Sequence, residues 1–235
     1  MAPQRPAPDP VRTARRQALS VGVATALYGV SLGALAVANG LSVLQACATS
    51  LLLFSGGSQF ALVGVLGGGG SVPAAVAASS LLGVRNALYG LQVAGFLDVR
   101  GARRLLAAHW TIDESTAVGV AQPTVAARRT GFWVTGATVF VGWNLTTLVG
   151  ALLGDALGDP RRYGLDAAAA AAFLALLWPR LRRGEAAAVA LAAGLVALVL
   201  VPVVPVGIPV VAAAAVALLA GLRRPRGAAG RGEAA

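Results

Sequence analysis

Long apolar tracts alternate with short basic clusters along this chain. Leu19 to Ala38 is almost wholly apolar. From Gln17 to Leu97 the only charged residue is Arg85, and neither Thr130–Gly154 nor Ala186–Leu222 holds any charge. A helix needs about 20 mostly apolar residues to cross a hydrocarbon core of about 30 Å. The pattern predicts helical segments over 17–38, 41–66, 72–97, 130–153, 165–179, 186–201 and 210–222. Residues 105–127 are mixed, with His109, Asp113, Glu114 and Pro123. The last tract is too long for one straight helix and is divided by Pro202, Pro205, Gly207 and Pro209.

Two places interrupt the apolar pattern. Ser55-Gly56-Gly57-Ser58-Gln59 splits 41–66 into halves too short to span. Such a break survives only where protein or a water-filled cavity surrounds it. Arg85-Asn86 sits at the centre of 72–97. The fold class is therefore an all-α integral membrane protein. It is a polytopic bundle of about six to seven hydrophobic segments, broken or re-entrant near 55–59 and 85–86. Residues 1–16 and 223–235 read as disordered cytoplasmic tails, with one transmembrane domain over 17–222. Gly29-x3-Gly33 and Gly150-x3-Gly154 suit close helix crossings.

Charge then orients the bundle. The chain has 235 residues, 57% of them hydrophobic and 12% charged, against about 25% charged in soluble domains. Its net charge of +10 comes from 19 basic residues, all arginine, mostly clustered between apolar tracts. That is the positive-inside pattern, which excludes a nucleic-acid reading and places the N-terminus in the cytoplasm. If 41–66 crossed fully, Arg100, Arg103 and Arg104 would lie outside. If it is a re-entrant hairpin with both ends outside, they lie inside, and 98–129 stays inside as well. The hairpin fits the charges better than a crossing by 105–127.

The candidate chemistry lies at the interruptions. Arg85 in an apolar span costs about 3 kcal/mol on insertion scales, so it should face a cavity and a ligand. A guanidinium grips a carboxylate through two parallel hydrogen bonds. The alternative is an arginine that caps broken helices. The Ser55–Gln59 break would expose backbone N–H groups to an anion. Asp113-Glu114 suits an amine or a proton, or else an acidic helix start. Trp143-Asn144 reads as structural glue. His109 lacks the partners for a metal site, and the single Cys47 excludes an internal disulfide. No phosphate loop and no nucleophile–base pair is present, so the chain reads as a non-enzyme without a cofactor.

Phe54-Ser55-Gly56-Gly57-Ser58-Gln59-Phe60, Val84-Arg85-Asn86-Ala87-Leu88-Tyr89-Gly90 and Thr111-Ile112-Asp113-Glu114-Ser115 occur in that order. With Leu165-Asp166 and Phe173–Leu177, they resemble the hallmark stretches of AzlC-type permeases over about residues 17–222. The resemblance implies the large subunit of a branched-chain amino acid exporter in the bacterial inner membrane, driven by an ion gradient. Leucine, isoleucine and valine are its implied substrates, with methionine a further one. It also implies a small AzlD-type hydrophobic partner. On that basis the substrate is expected at Arg85, Asn86, Tyr89, Ser55, Gly56, Gly57, Ser58 and Gln59, with its aliphatic part against Phe54, Phe60 and Tyr89. Asp113 or Glu114 would receive the amine or a proton. The chain departs from the family's usual Asn-Leu-Arg-His, reading Gly83-Val84-Arg85-Asn86. It also lacks the proline often found near Gly22–Ala24. Export of another small solute on the same fold, or a membrane assembly role without transport, are the competing readings.

Overall fold

The computed structural model describes residues 9–157, 174, 177, 178, 181, 182, 184–204 and 208–222. The segment expected over 165–179 and the C-terminal tail fall largely outside them. Among the described residues all regular structure is helical.

Helix α1 (Pro10–Ala26) starts earlier than expected, so Pro10–Arg16 is helical and not part of a flexible tail. Asp9 supplies the reason, accepting from Val11 N at 3.0 Å with Pro10 at the first helical position. Helix α2 (Gly29–Ala38) continues the same span after a turn at Leu27–Tyr28. Ser42 and Gln45 form a reciprocal capping box that starts α3 (Val43–Leu52). The chain breaks at Leu53–Gly56, and α4 (Gly57–Gly67) follows.

Helix α5 (Val72–Leu97) is capped by Ser71 and runs for 26 residues, about 39 Å at 1.5 Å per residue. It passes unbroken through Arg85 and Asn86, which corrects the break expected there. A polar pair costs a helix little, whereas the adjacent glycines at 56 and 57 cost it a great deal. Helices α6 (Ala102–His109) and α7 (Asp113–Val120) are short. Helix α8 (Val125–Leu157) is the longest, at 33 residues. Helices α9 (Gly184–Leu200) and α10 (Ile208–Leu222) are the pair expected on either side of the prolines.

Specific contacts fix which helix ends lie together. Gln122 Nε2 donates to Gln17 Oε1 at 2.9 Å, Arg128 Nε to Gln122 O at 2.8 Å, and Arg129 Nε to Phe96 O at 2.6 Å. The N-terminal half of α1, the C-terminus of α5, the exit of α7 and the start of α8 thus share one end. At the other end Gly154 meets Ala34 and Val37 of α2, and Gly67 at the end of α4 meets Asn39. Residues 41–71 therefore leave and return at this second end, as the re-entrant reading requires. Residues 98–124 leave and return at the first. They do not stay at the surface: Asp113 reaches Arg85 in the middle of α5. The fold is span, hairpin, reversed span, opposed hairpin, span.

The hairpins are splayed. Helix α3 packs on α8 and α4 on α5, rather than on each other. Helix α8 is the common platform, with α1, α2, α3 and α7 all against it. Its seam with α2 is made by missing side chains. A Cβ at Gly33 would enter the Thr147 carbonyl and stand 2.6 Å from Ala151 N; one at Gly150 would enter the Val30 carbonyl. Both small-residue motifs thus meet the same opposing span.

Several polar side chains lie in the interior while many leucines point outward. Ser58, Gln59, Ser115 and Thr147 are fully buried, whereas Leu44, Leu52 and Leu91 are each more than three-quarters exposed. A water-soluble protein has the reverse bias. Among the described residues two helical stretches, Pro10–Ala38 and Val125–Leu157, are long and apolar enough to cross a bilayer by themselves. Helix α5 has the length, but polar residues dilute its apolar character.

Gly33→Leu should lower stability by about 1–3 kcal/mol through overpacking of the α2–α8 seam. Gly95→Ala, whose added methyl meets nothing, should leave stability equal or slightly raised. Thermal unfolding in detergent measures both. For the topology, Gly68→Cys and Ala102→Cys in a Cys47→Ser background should react with an impermeant maleimide from opposite sides. Labelling of both from one side would overturn the hairpin arrangement.

Candidate functional site

The two hairpin tips meet beside the middle of α5. In the first tip, Gly56 has φ 56° and ψ −91°, a backbone state that side chains disfavour. Gly57 serves a different end: a Cβ there would stand 3.1 Å from Arg85 Nη2 and 3.6 Å from Leu82 Cδ2. One glycine makes the turn and the next lets the guanidinium approach. Gln59 closes the tip from inside. Its Oε1 accepts from Gly56 N and its Nε2 donates to Thr49 O, each at 3.2 Å. This links the end of α3 to the start of α4. Gln59 is fully buried with both ends of its amide used, so it builds the tip.

Ser55 is held three ways. Arg85 Nη2 donates to its carbonyl at 3.2 Å, Asn86 Nδ2 donates to its hydroxyl at 3.1 Å, and that hydroxyl lies 3.0 Å from Ser58 Oγ. Ser58 is in the first turn of α4 and fully buried.

The second tip, Trp110–Ile112, is built by Ser115. Its Oγ accepts from Ile112 N at 3.1 Å and donates to Trp110 O at 2.6 Å. That starts α7 at Asp113, whose Oδ2 pairs with Arg85 Nη1 at 2.8 Å. Arg85 and Asp113 side chains are 30% and 34% exposed, so the pair borders an opening. Arg85 thus bridges the tips, with one terminal nitrogen on the Ser55 carbonyl and the other on Asp113. Glu114 follows in the same turn, half-buried, and the ion pair is made by Asp113. Tyr89 lies one turn beyond Arg85 on α5, also half-buried.

Three polar atoms here are buried without a partner: Arg85 Nε, Asn86 Oδ1 and Asp113 Oδ1. One is a donor and two are acceptors. The N-termini of α4 and α7 both begin at this point, and each brings a partial positive charge and free N–H groups. The arrangement can therefore receive a carboxylate and an ammonium side by side.

The aromatic residues hold the tips together. Phe54 packs on His109 and Phe140, with centroids 5.8 and 5.1 Å apart, and Trp110 packs on Phe140 at 5.8 Å. Phe60 packs on Trp143 at 6.3 Å. Phe54 and Phe60 are both buried in the core. Leu82 of α5 lies beside the first tip. Sequence reasoning missed Phe140 and the role of His109. For the second tip, the three-residue spacing of Ile112 to Ser115, which is capping-box spacing, is the local signal in the sequence. Among the described residues no group of His, Cys, Asp and Glu could hold a metal ion.

Removing one partner of the pair leaves an uncompensated charge. Asp113→Asn should cost about 1–3 kcal/mol, less than the 3–5 of a fully buried pair because both groups are about one-third exposed. Arg85→Gln combined with Asp113→Asn should recover part of that loss. Calorimetric unfolding of the single and double variants checks it, and simple additivity would count against the pairing.

A family model described as AzlC protein matches residues 20–157, which takes in both hairpins and the ion pair. No curated protein and no solved structure matches the chain.

Proposed function

The chain belongs to the AzlC family, a family of membrane transport proteins, and from that premise we propose that it exports branched-chain amino acids as the large subunit of a secondary transporter. The observation that supports this most is the Arg85–Asp113 pair set between two helix N-termini, with one unpaired donor and two unpaired acceptors around it.

An α-amino acid is a zwitterion, and each of its charges finds a complement here. The carboxylate would take the place of Asp113 on the guanidinium of Arg85, in the parallel two-bond geometry that this group favours. Backbone N–H groups at the start of α4, at Gly57 and Ser58, would add to it. The ammonium would go to Asp113 Oδ1 and Asn86 Oδ1. The released Asp113 carboxylate gains a new cation at the moment it loses the old one, so no charge is stranded. Glu114 stands beside it as a second acceptor for a proton or the amine. A short branched side chain would then run along α5 against Leu82 and Tyr89. Ser55 and Gly56 hold the geometry of the tip.

The remaining parts of the proposal follow from the family resemblance and from charge. A small AzlD-type membrane subunit completes the transporter in the bacterial inner membrane. An ion gradient supplies the energy, since the sequence carries no nucleotide-binding loop. The arginine-rich end faces the cytoplasm with the N-terminus.

Counterflow of labelled leucine into proteoliposomes holding the chain and its small partner tests the reading. Unlabelled isoleucine, valine and leucine should compete, while isoamylamine and isocaproate, which each lack one charge, should compete at least about tenfold less well, as expected when a buried partner is left unpaired. Arg85→Lys should lose most of the flux although the charge is kept. Flux unaffected by Arg85→Lys, or equal competition by the amine and the acid alone, would defeat the zwitterion site. Lost subunit association with unchanged flux would favour the assembly role.

A further inference from the structure

The fold gathers three arginine clusters that are far apart in sequence onto one end of the bundle. Arg12, Arg15 and Arg16 lie on the first turns of α1, and Gln17 next to them bonds Gln122. Arg128 donates to the Gln122 carbonyl, and Arg129 to the Phe96 carbonyl at the end of α5. Arg100, Arg103 and Arg104 follow directly from that end. Within residues 9–157 every arginine except Arg85 is in this group.

These arginines are poorly neutralised from within. Asp9 stands 3.9 Å from Arg12 in an exposed contact, and Asp98 is the other acid near this end. Among the described residues no other member of the group has a salt bridge. Arg12, Arg15, Arg16, Arg100, Arg103, Arg104 and Arg129 are all exposed. The opposite end, within the same residues, carries Asp155 and no arginine.

The level of this rim identifies its partner. Leu105 is 74% exposed directly beside Arg104, and Val125 is 51% exposed three residues before Arg128. Apolar side chains that belong in hydrocarbon thus adjoin guanidinium groups that cannot enter it. Where those two meet, a bilayer presents phosphate oxygens, and guanidinium binds phosphate in a two-bond fork. A soluble polyanion would match the charge but leave the leucines in water.

We infer that this arginine rim binds the headgroups of anionic phospholipids and so anchors the base of the second hairpin. That hairpin is mounted between Arg100–Arg104 and Arg128–Arg129, and it carries Asp113 at its tip. Headgroup phosphates that bridge the two arginine groups would hold its legs in place. This inference is independent of the transported solute.

The full chain, reconstituted in vesicles of about three parts phosphatidylcholine to one part phosphatidylglycerol, tests it at low salt. Spin-labelled forms of each lipid report the fraction immobilised at the protein surface. Phosphatidylglycerol should be enriched over phosphatidylcholine, and the enrichment should fall at least about twofold in high salt. The Arg100→Gln, Arg103→Gln, Arg104→Gln triple variant should reduce it similarly. So should the triple Gln variant at Arg12, Arg15 and Arg16, which serves if the first fails to fold. Asp155→Asn, at the other end, should change nothing. Equal immobilisation of the two lipids in the unaltered chain, or enrichment that survives both variants, would overturn the inference.

Discussion

A single guanidinium in the middle of an apolar helix sets the terms for the rest of the molecule. Arg85 stays charged, so it must be paired wherever the fold puts it. Two segments from elsewhere in the chain come to it. One brings a backbone carbonyl at Ser55 and the other a carboxylate at Asp113. Neither segment can span, because each turns back at the depth of that arginine. A hairpin tip in a low-dielectric region needs its own polar groups satisfied, and each tip is closed by one buried side chain: Gln59 for the first and Ser115 for the second. The ion pair, the breaks and the caps therefore form one connected requirement.

The platform follows from the same need. Splayed half-helices cannot support each other, so each leans on a full span. Helix α8 carries α3 and α7, and α5 carries α4. Close approach of α8 depends on glycines at 29, 33, 150 and 154 against α2 and at 22 and 142 against α1, because in lipid there is little hydrophobic gain from joining helices and packing must supply the attraction. Phe140 on α8 then wedges against Phe54, His109 and Trp110, one ring set touching both tips. This is why α8 can be long and regular while its neighbours are broken.

Much of this was readable in the sequence, but unevenly. The membrane class and the break at Ser55–Gln59 were legible, because they rest on local composition and on adjacent glycines. The re-entrant first hairpin was legible only through charge, since Arg100, Arg103 and Arg104 must share a side with the N-terminus. The second hairpin was not legible. Residues 102–120 are too polar for a span and too short for two, and nothing local says that Asp113 descends to Arg85. The break expected at Arg85-Asn86 was wrong because side-chain polarity was treated as a helix breaker, whereas backbone freedom is what breaks helices. The burial of Phe54 and Phe60 is not legible locally, because it depends on partners such as Phe140 and Trp143 that are distant in sequence.

Charge balance ties the architecture to the proposed selectivity. Arg85 and Asp113 are neutral as a pair. A lone carboxylate that displaced Asp113 would leave one anion unpaired in a low-dielectric setting, and a lone amine that took Asp113 would leave the guanidinium with only the Ser55 carbonyl. Either outcome costs several kcal/mol. A zwitterion exchanges one neutral pair for two adjacent ones and strands nothing. The two charges of that pair also belong to different elements, since Arg85 is fixed on α5 while Asp113 rides on the second hairpin.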